Sequence, residues 1–160
     1  MKAIPINTNQ SLNNKRAKLA GILYLSLAPL GILGIIYVPS SIIVSEDIAA
    51  TISNINENET LFRWSIISAL LVQFINIILA VLLYKIFKPI HATMAALMVI
   101  FSLLAVPIAF LNEINNLVVL HLLGESNISQ DLISVFLNLH QQGIIIAQVF
   151  WGLWLFPLGY

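Results

Sequence analysis

Four stretches of this chain, near 19–38, 64–84, 92–111 and 143–160, are apolar over about the length that a helix needs to cross a bilayer. The first runs from Leu19 to Val38 without a formal charge. A hydrocarbon core is roughly 30 Å thick, and a helix rises about 1.5 Å per residue. Such stretches are threaded through lipid or hidden inside a very large core. Composition decides between the two. Charged residues make up 9% of the chain and hydrophobic residues 59%, against roughly 25% charged in an average soluble domain. So few charges cannot cover a water-facing surface, whereas a lipid-facing surface needs none. The expected fold is all-α: an integral membrane bundle of four transmembrane helices with a short amphipathic helix in an outer loop.

Composition also excludes chemistry. Seven basic residues balance seven acidic ones, so there is no electrostatic footprint for nucleic acid. Cysteine is absent. That removes disulfides, thiolate nucleophiles and zinc–thiolate or iron–sulfur sites. The sequence has no phosphate-binding loop, dinucleotide fingerprint, zincin pair or nucleophile elbow.

Residues 1–14 read as a polar tail, and residues 15–160 as one transmembrane domain with spans at about 17–38, 61–87, 91–123 and 130–160. A cleaved signal peptide would have an apolar region of only about 7–15 residues and a small-residue cleavage site. Here the run is longer and ends in Tyr37-Val38-Pro39-Ser40-Ser41, which favours an uncleaved first span. Lys15, Arg16 and Lys18 precede that span, and Lys85 and Lys88 sit in the turn between the second and third. The segments between spans one and two and between three and four carry Glu46, Asp47, Glu57, Glu59, Glu125 and Asp131; their one cation is Arg63, at the edge of span two. The positive-inside rule therefore places both termini and the lysine turn in the cytoplasm and the acidic loops outside.

Ser45 is a candidate cap for a helix from about Glu46 to Asn56, whose Ile48, Ile52 and Ile55 share one face. Pro29 and Pro107 fall inside spans one and three and should bend them. Small residues recur four apart at Ala17/Gly21, Ser65/Ala69, Ala92/Ala96 and Gly143/Ala147, a spacing that permits close helix approach. Trp64, Trp151, Trp154 and Tyr160 suit the membrane interfaces. The chain closes at Gly159-Tyr160 with no basic flank, as expected of an amino-terminal portion of a longer protein.

Four strings stand out: Lys18-Leu19-Ala20-Gly21-Ile22-Leu23-Tyr24, Leu61-Phe62-Arg63, Leu83-Tyr84-Lys85-Ile86-Phe87-Lys88-Pro89-Ile90 and Leu139-His140-Gln141-Gln142-Gly143 with the aromatic run that follows. Together they resemble a bacterial membrane family known as domain of unknown function 4386. The likeness extends from Lys15 over nearly the whole chain. It implies a polytopic protein of the bacterial inner membrane, usually longer and with further spans. It implies no reaction and assigns no catalytic residue.

Polar groups inside the spans remain to be explained. An ionisable side chain well inside a span costs roughly 2.5–3.5 kcal/mol on insertion scales. Glu113 lies ten residues before Leu123, and His140 nine after Asp131, at matching depths of antiparallel neighbours. Glu113, His140 and Arg63 are therefore expected to meet in the outer half, with Asn112, Asn116, Gln141 and Gln142 completing a polar cluster. Gln73 and Asn76, three apart on span two, are candidates for bonds across helices. Three readings of the cluster stand open: a structural cluster or an early end to span three near Asn112; a proton or ion relay; and a lipid- or isoprenoid-directed enzyme with His140 as base and Glu113 orienting it. The first corresponds to a non-catalytic subunit or assembly factor that works through other membrane proteins or by self-association, and it is preferred. The second corresponds to a proton- or ion-coupled transporter. No cofactor is expected; a haem held by His121 and His140 is disfavoured because the two lie at different depths.

Overall fold

A computed structural model describes residues 8–125 and 129–159. Tyr160 and the first seven residues of the expected tail lie outside the described residues. The elements follow in the order α1 (Thr8–Gly31), a π-helical segment (Ile32–Tyr37), α2 (Val38–Ile42), α3 (Ile48–Glu57), α4 (Glu59–Phe87), α5 (Ala92–Leu123), α6 (Gln130–Leu153) and a 3-10 turn (Phe156–Leu158). Four helical stretches are long and apolar enough to cross a bilayer: Ser11–Ile42, Glu59–Phe87, Ala92–Leu123 and Gln130–Leu153. The protein is an all-α membrane bundle, as its hydropathy requires.

Helix boundaries follow local chemistry. At the end marked by Lys85 and Lys88, α4 stops at Phe87, two residues before Pro89. His91 then caps α5, its Nδ1 accepting from the Met94 N–H at 3.3 Å. At the opposite end, Ser129 Oγ accepts from the Asp131 N–H at 3.2 Å and starts α6. Two boundaries differ from the sequence reading. Helix α1 already includes Thr8, inside the expected tail, because a helix that extends beyond lipid needs no apolar period. Helix α6 ends at Leu153 rather than running to the last residue. Pro157 has no N–H to bond to the Leu153 carbonyl, and the chain passes into the 3-10 turn Phe156–Leu158.

The first span is not a uniform helix. Pro29 and Pro39 lack the N–H groups that would bond to the carbonyls of Leu25 and Ile35. Between them the chain passes through the π-helical Ile32–Tyr37. The Leu30 carbonyl, just before this segment, accepts from Ser68 Oγ of α4 at 2.8 Å. Gly34 makes the approach possible: a Cβ there would stand 3.1 Å from the Ser65 carbonyl oxygen and 3.4 Å from the Ala69 nitrogen. The small pair Ser65/Ala69 thus seats the first span. Gly21, by contrast, faces open space. Helix α5 continues through Pro107 without interruption.

The bundle packs in chain order: α1 on α4, α4 on α5, and α5 on α6. Phe74 and Phe110 add an edge-to-face contact between α4 and α5, centroids 5.3 Å apart. Burial confirms which spans are central. Within the most apolar window of each, 33% is buried for α4 and α5, against 6% for the first span and 11% for α6. The first span and α6 form the two flanks of an arc and do not pack extensively on each other.

Helix α3 closes the acidic-loop end. Its cap is Asp47 rather than Ser45: Asp47 Oδ1 accepts from the Ala50 N–H at 2.9 Å. Glu46 adopts a left-handed backbone (φ 66°) and so cannot begin the helix. Thr51 Oγ accepts from the Val44 N–H at 2.9 Å, and Asn54 Nδ2 donates to the Ile42 carbonyl at 3.0 Å. These bonds pin α3 to the end of the first span. Beneath it Val38, Ile42, Ile55, Phe62, Ile66, Val119 and Ile133 form a buried apolar layer, with Ile48 and Ile52 packed against it.

Candidate functional site

Helix α5 carries Leu111-Asn112-Glu113-Ile114-Asn115-Asn116 about ten residues inside its acidic-loop end. The helix does not end near Asn112; it runs on to Leu123. Asn112, Glu113 and Asn116 fall on one face at helical spacing, and all three are buried. Leu111, Ile114 and Leu117 face outward, as lipid-facing positions should. The polar stripe therefore points at α6.

His140 meets it. Its Nε2 lies 3.1 Å from Glu113 Oε1. One proton must lie between them, carried either by the imidazole or by the carboxyl group. Asn116 Nδ2 donates to the other carboxyl oxygen, Oε2, at 3.2 Å. Glu113 is 4% exposed, so this carboxyl group is largely withdrawn from solvent and bonded to His140 and Asn116.

Register comes from Asn112. Its Nδ2 donates to the His140 carbonyl at 2.9 Å. Asn115 Nδ2 in turn donates to the Asn112 carbonyl at 3.1 Å and to its Oδ1 at 3.2 Å. The link between helices depends on Gly143, one turn beyond His140. A Cβ built on Gly143 would overlap the Asn112 side-chain amide. Glycine thus leaves the hollow that the asparagine fills, and Ala147, fully buried one turn further on, continues the same close seam.

Arg63 does not join the cluster. It pairs with Glu59 four residues earlier, Nε to Oε1 at 2.7 Å, on the exposed side of α4. An i, i+4 carboxylate is nearer to it than anything in the core, and water or headgroups solvate the pair. Gln141 is an exposed residue of α6 that lines the same cavity as Glu113 and His140 but makes no hydrogen bond to the pair. Its position next to His140 in sequence turns it about 100° around the helix. His121 lies two turns beyond Glu113, exposed, in the last turn of α5. No group of three or more His, Asp or Glu side chains converges among the described residues. Gln73, expected to bond across helices, is buried with its Oε1 unpartnered.

Glu113 and His140 open onto a cavity of about 430 Å³. That volume falls in the range of small-molecule sites, roughly 300–1,000 Å³. The π segment and α2 wall one side through Gly34, Ile35 and Val38, while α6 walls the other from Leu137 to Gln148. Phe62 and Ser65 of α4 contribute to the floor.

Fold and site together define a polytopic membrane bundle with a carboxylate–imidazole pair buried between two spans and facing a cavity. The chain belongs to the family described as Domain of unknown function (DUF4386), whose profile matches residues 19–160. No curated protein matches the chain, and no solved structure does.

Proposed function

We propose that this chain is the proton-binding module of a membrane carrier. It would sit in the bacterial inner membrane with the Lys85–Lys88 turn in the cytoplasm, as the positive-inside rule directs. Glu113 is the observation that carries the reading. A carboxyl group inside a span costs roughly 2.5–3.5 kcal/mol on insertion scales. A purely structural tie between α5 and α6 would not require it, since Asn112 already makes one with a neutral amide. A buried carboxyl group hydrogen-bonded to an imidazole is a unit that gains and loses a proton, and a cavity beside it gives that proton a way in and out.

The test is proton flux in vesicles that enclose a pH-sensitive dye, driven by a potassium potential. The wild-type chain should acidify the interior faster than protein-free vesicles do. Glu113→Gln and His140→Gln should fall to the protein-free rate while keeping the far-ultraviolet dichroism of the wild type. Wild-type vesicles no faster than empty ones would overturn the carrier reading.

The accessory-subunit reading stands second. It is supported by the flanks of the arc, where 6% and 11% of the most apolar windows are buried, leaving broad surfaces for partner spans. Co-purification of a stoichiometric membrane partner in mild detergent would raise it.

A further inference from the structure

The cavity reaches the surface along a seam between the first span and α6, which are not packed on each other. Wall residues on both sides are themselves surface residues: Ile145 of α6 is 49% exposed, and Ile43, one residue past the first span at the acidic-loop end, is 41% exposed. The seam faces the same surroundings as the lipid-facing side chains of both spans. Along α6 the wall extends from Leu137 to Gln148, eleven residues and about 16 Å of helix axis. An elongated cleft of this kind, open sideways within the membrane, suits a chain-shaped ligand that arrives from the bilayer.

The walls sort by chemistry. Ile35, Val38, Ile43, Phe62, Ile144 and Ile145 are apolar; Glu113, His140 and Asn116 form the hydrogen-bonded pole, and neutral polar side chains (Ser40, Ser45, Ser65, Gln141 and Gln148) are interspersed along the rest of the wall. Glu113 and His140 are the only side chains of the lining that can carry charge. An ionised carboxylate offers about four acceptor positions. Two are engaged, one by His140 and one by Asn116, so the carboxylate retains room for two further donors from the cavity side. A ligand head that donates N–H bonds and carries positive charge fits that remainder. An anionic head would meet the carboxylate's own charge.

We propose that the cavity binds a single-tailed amphiphile with a primary ammonium head, which enters between the first span and α6 and is held by Glu113. This rests on the carrier reading and supplies its substrate class. Proton and ammonium then compete for one carboxylate.

The chain has no cysteine, so a single environment-sensitive fluorophore can be placed on the cavity wall through Ile145→Cys. A second label through Leu25→Cys, on the exposed face of α1, reports mere partitioning into lipid. In nanodiscs, dodecylamine should give a saturable change at the Ile145 label and none at the Leu25 label. Dodecanoate should give none at either. Adding Glu113→Gln should weaken the dodecylamine midpoint about tenfold or more, the loss of a charge-assisted bond, and Glu113→Asp should restore most of it. Equal responses at both labels, an equal midpoint for dodecanoate, or a midpoint within about twofold in Glu113→Gln would each overturn the proposal. Proton flux that needs Glu113, with no dodecylamine response, sinks the amphiphile and leaves the carrier. A dodecylamine response without wild-type flux sinks the carrier instead.

Discussion

Gly143→Ala should loosen the seam that brings His140 to Glu113. The added methyl group would occupy the place of the Asn112 amide, so the whole side chain must leave its rotamer. Two hydrogen bonds go with it: Asn112 Nδ2 to the His140 carbonyl, and Asn115 Nδ2 to Asn112 Oδ1. At the average of about 0.6 kcal/mol for hydrogen bonds between membrane side chains, their loss costs about 1 kcal/mol. Crowding a packed seam adds about 1–3 kcal/mol. The expected destabilisation is therefore about 2–4 kcal/mol. It is measured by titrating the protein in mixed micelles with dodecyl sulfate and following tryptophan fluorescence and helical dichroism. The double variant Gly143→Ala, Asn112→Ala carries the stronger test, because it removes the side chain that is in the way. It loses the bonds but not the fit, and should recover at least about 1 kcal/mol relative to Gly143→Ala alone. A Gly143→Ala protein within about 0.5 kcal/mol of wild type, or a double variant no more stable than the single, would refute the nesting of Asn112 in the glycine hollow.

Gln73→Leu should be neutral or stabilising by up to about 1–3 kcal/mol in the same titration, because the wild type buries an amide oxygen without a donor; clear destabilisation would mean that Gln73 has a partner in the membrane. Arg63→Ala removes a surface pair with Glu59, side chains 57% and 53% exposed. It should cost under about 1 kcal/mol and leave vesicle proton flux at the wild-type rate, whereas lost flux would draw Arg63 into the site after all.

Much of the bundle is legible in the sequence because membrane crossing is a matter of length and apolarity. The end of α4 before Pro89 and the start of α5 after His91 follow from single residues. So does the meeting of Glu113 with His140, since equal counts from the two ends of an antiparallel pair give equal depth. Arg63 defeats that logic. It stands only four residues into α4, whereas Glu113 stands ten residues inside the end of α5, and Glu59 one turn away takes the same charge. Asp47 takes the cap of α3 from Ser45 because Glu46 between them turns left-handed, a backbone choice that propensity does not announce. The first span's π segment and the cavity it lines depend on how Gly34 seats against Ser65 and Ala69. That is a property of two helices together, and the spacing of small residues on either one signals closeness without saying to what.

The chain-order packing of the spans has a consequence for biogenesis. Each long helix after the first has a packing neighbour among segments already synthesised, α4 on α1, α5 on α4, α6 on α5, so docking can keep pace with emergence from the ribosome. Two tasks wait for the last helix. Ile133 must arrive to complete the apolar layer under α3, and His140 must arrive before the Glu113 carboxyl group has its partner from another helix. Until then the growing protein holds an acid in oil, and the final hairpin is what makes the nascent bundle comfortable in its membrane.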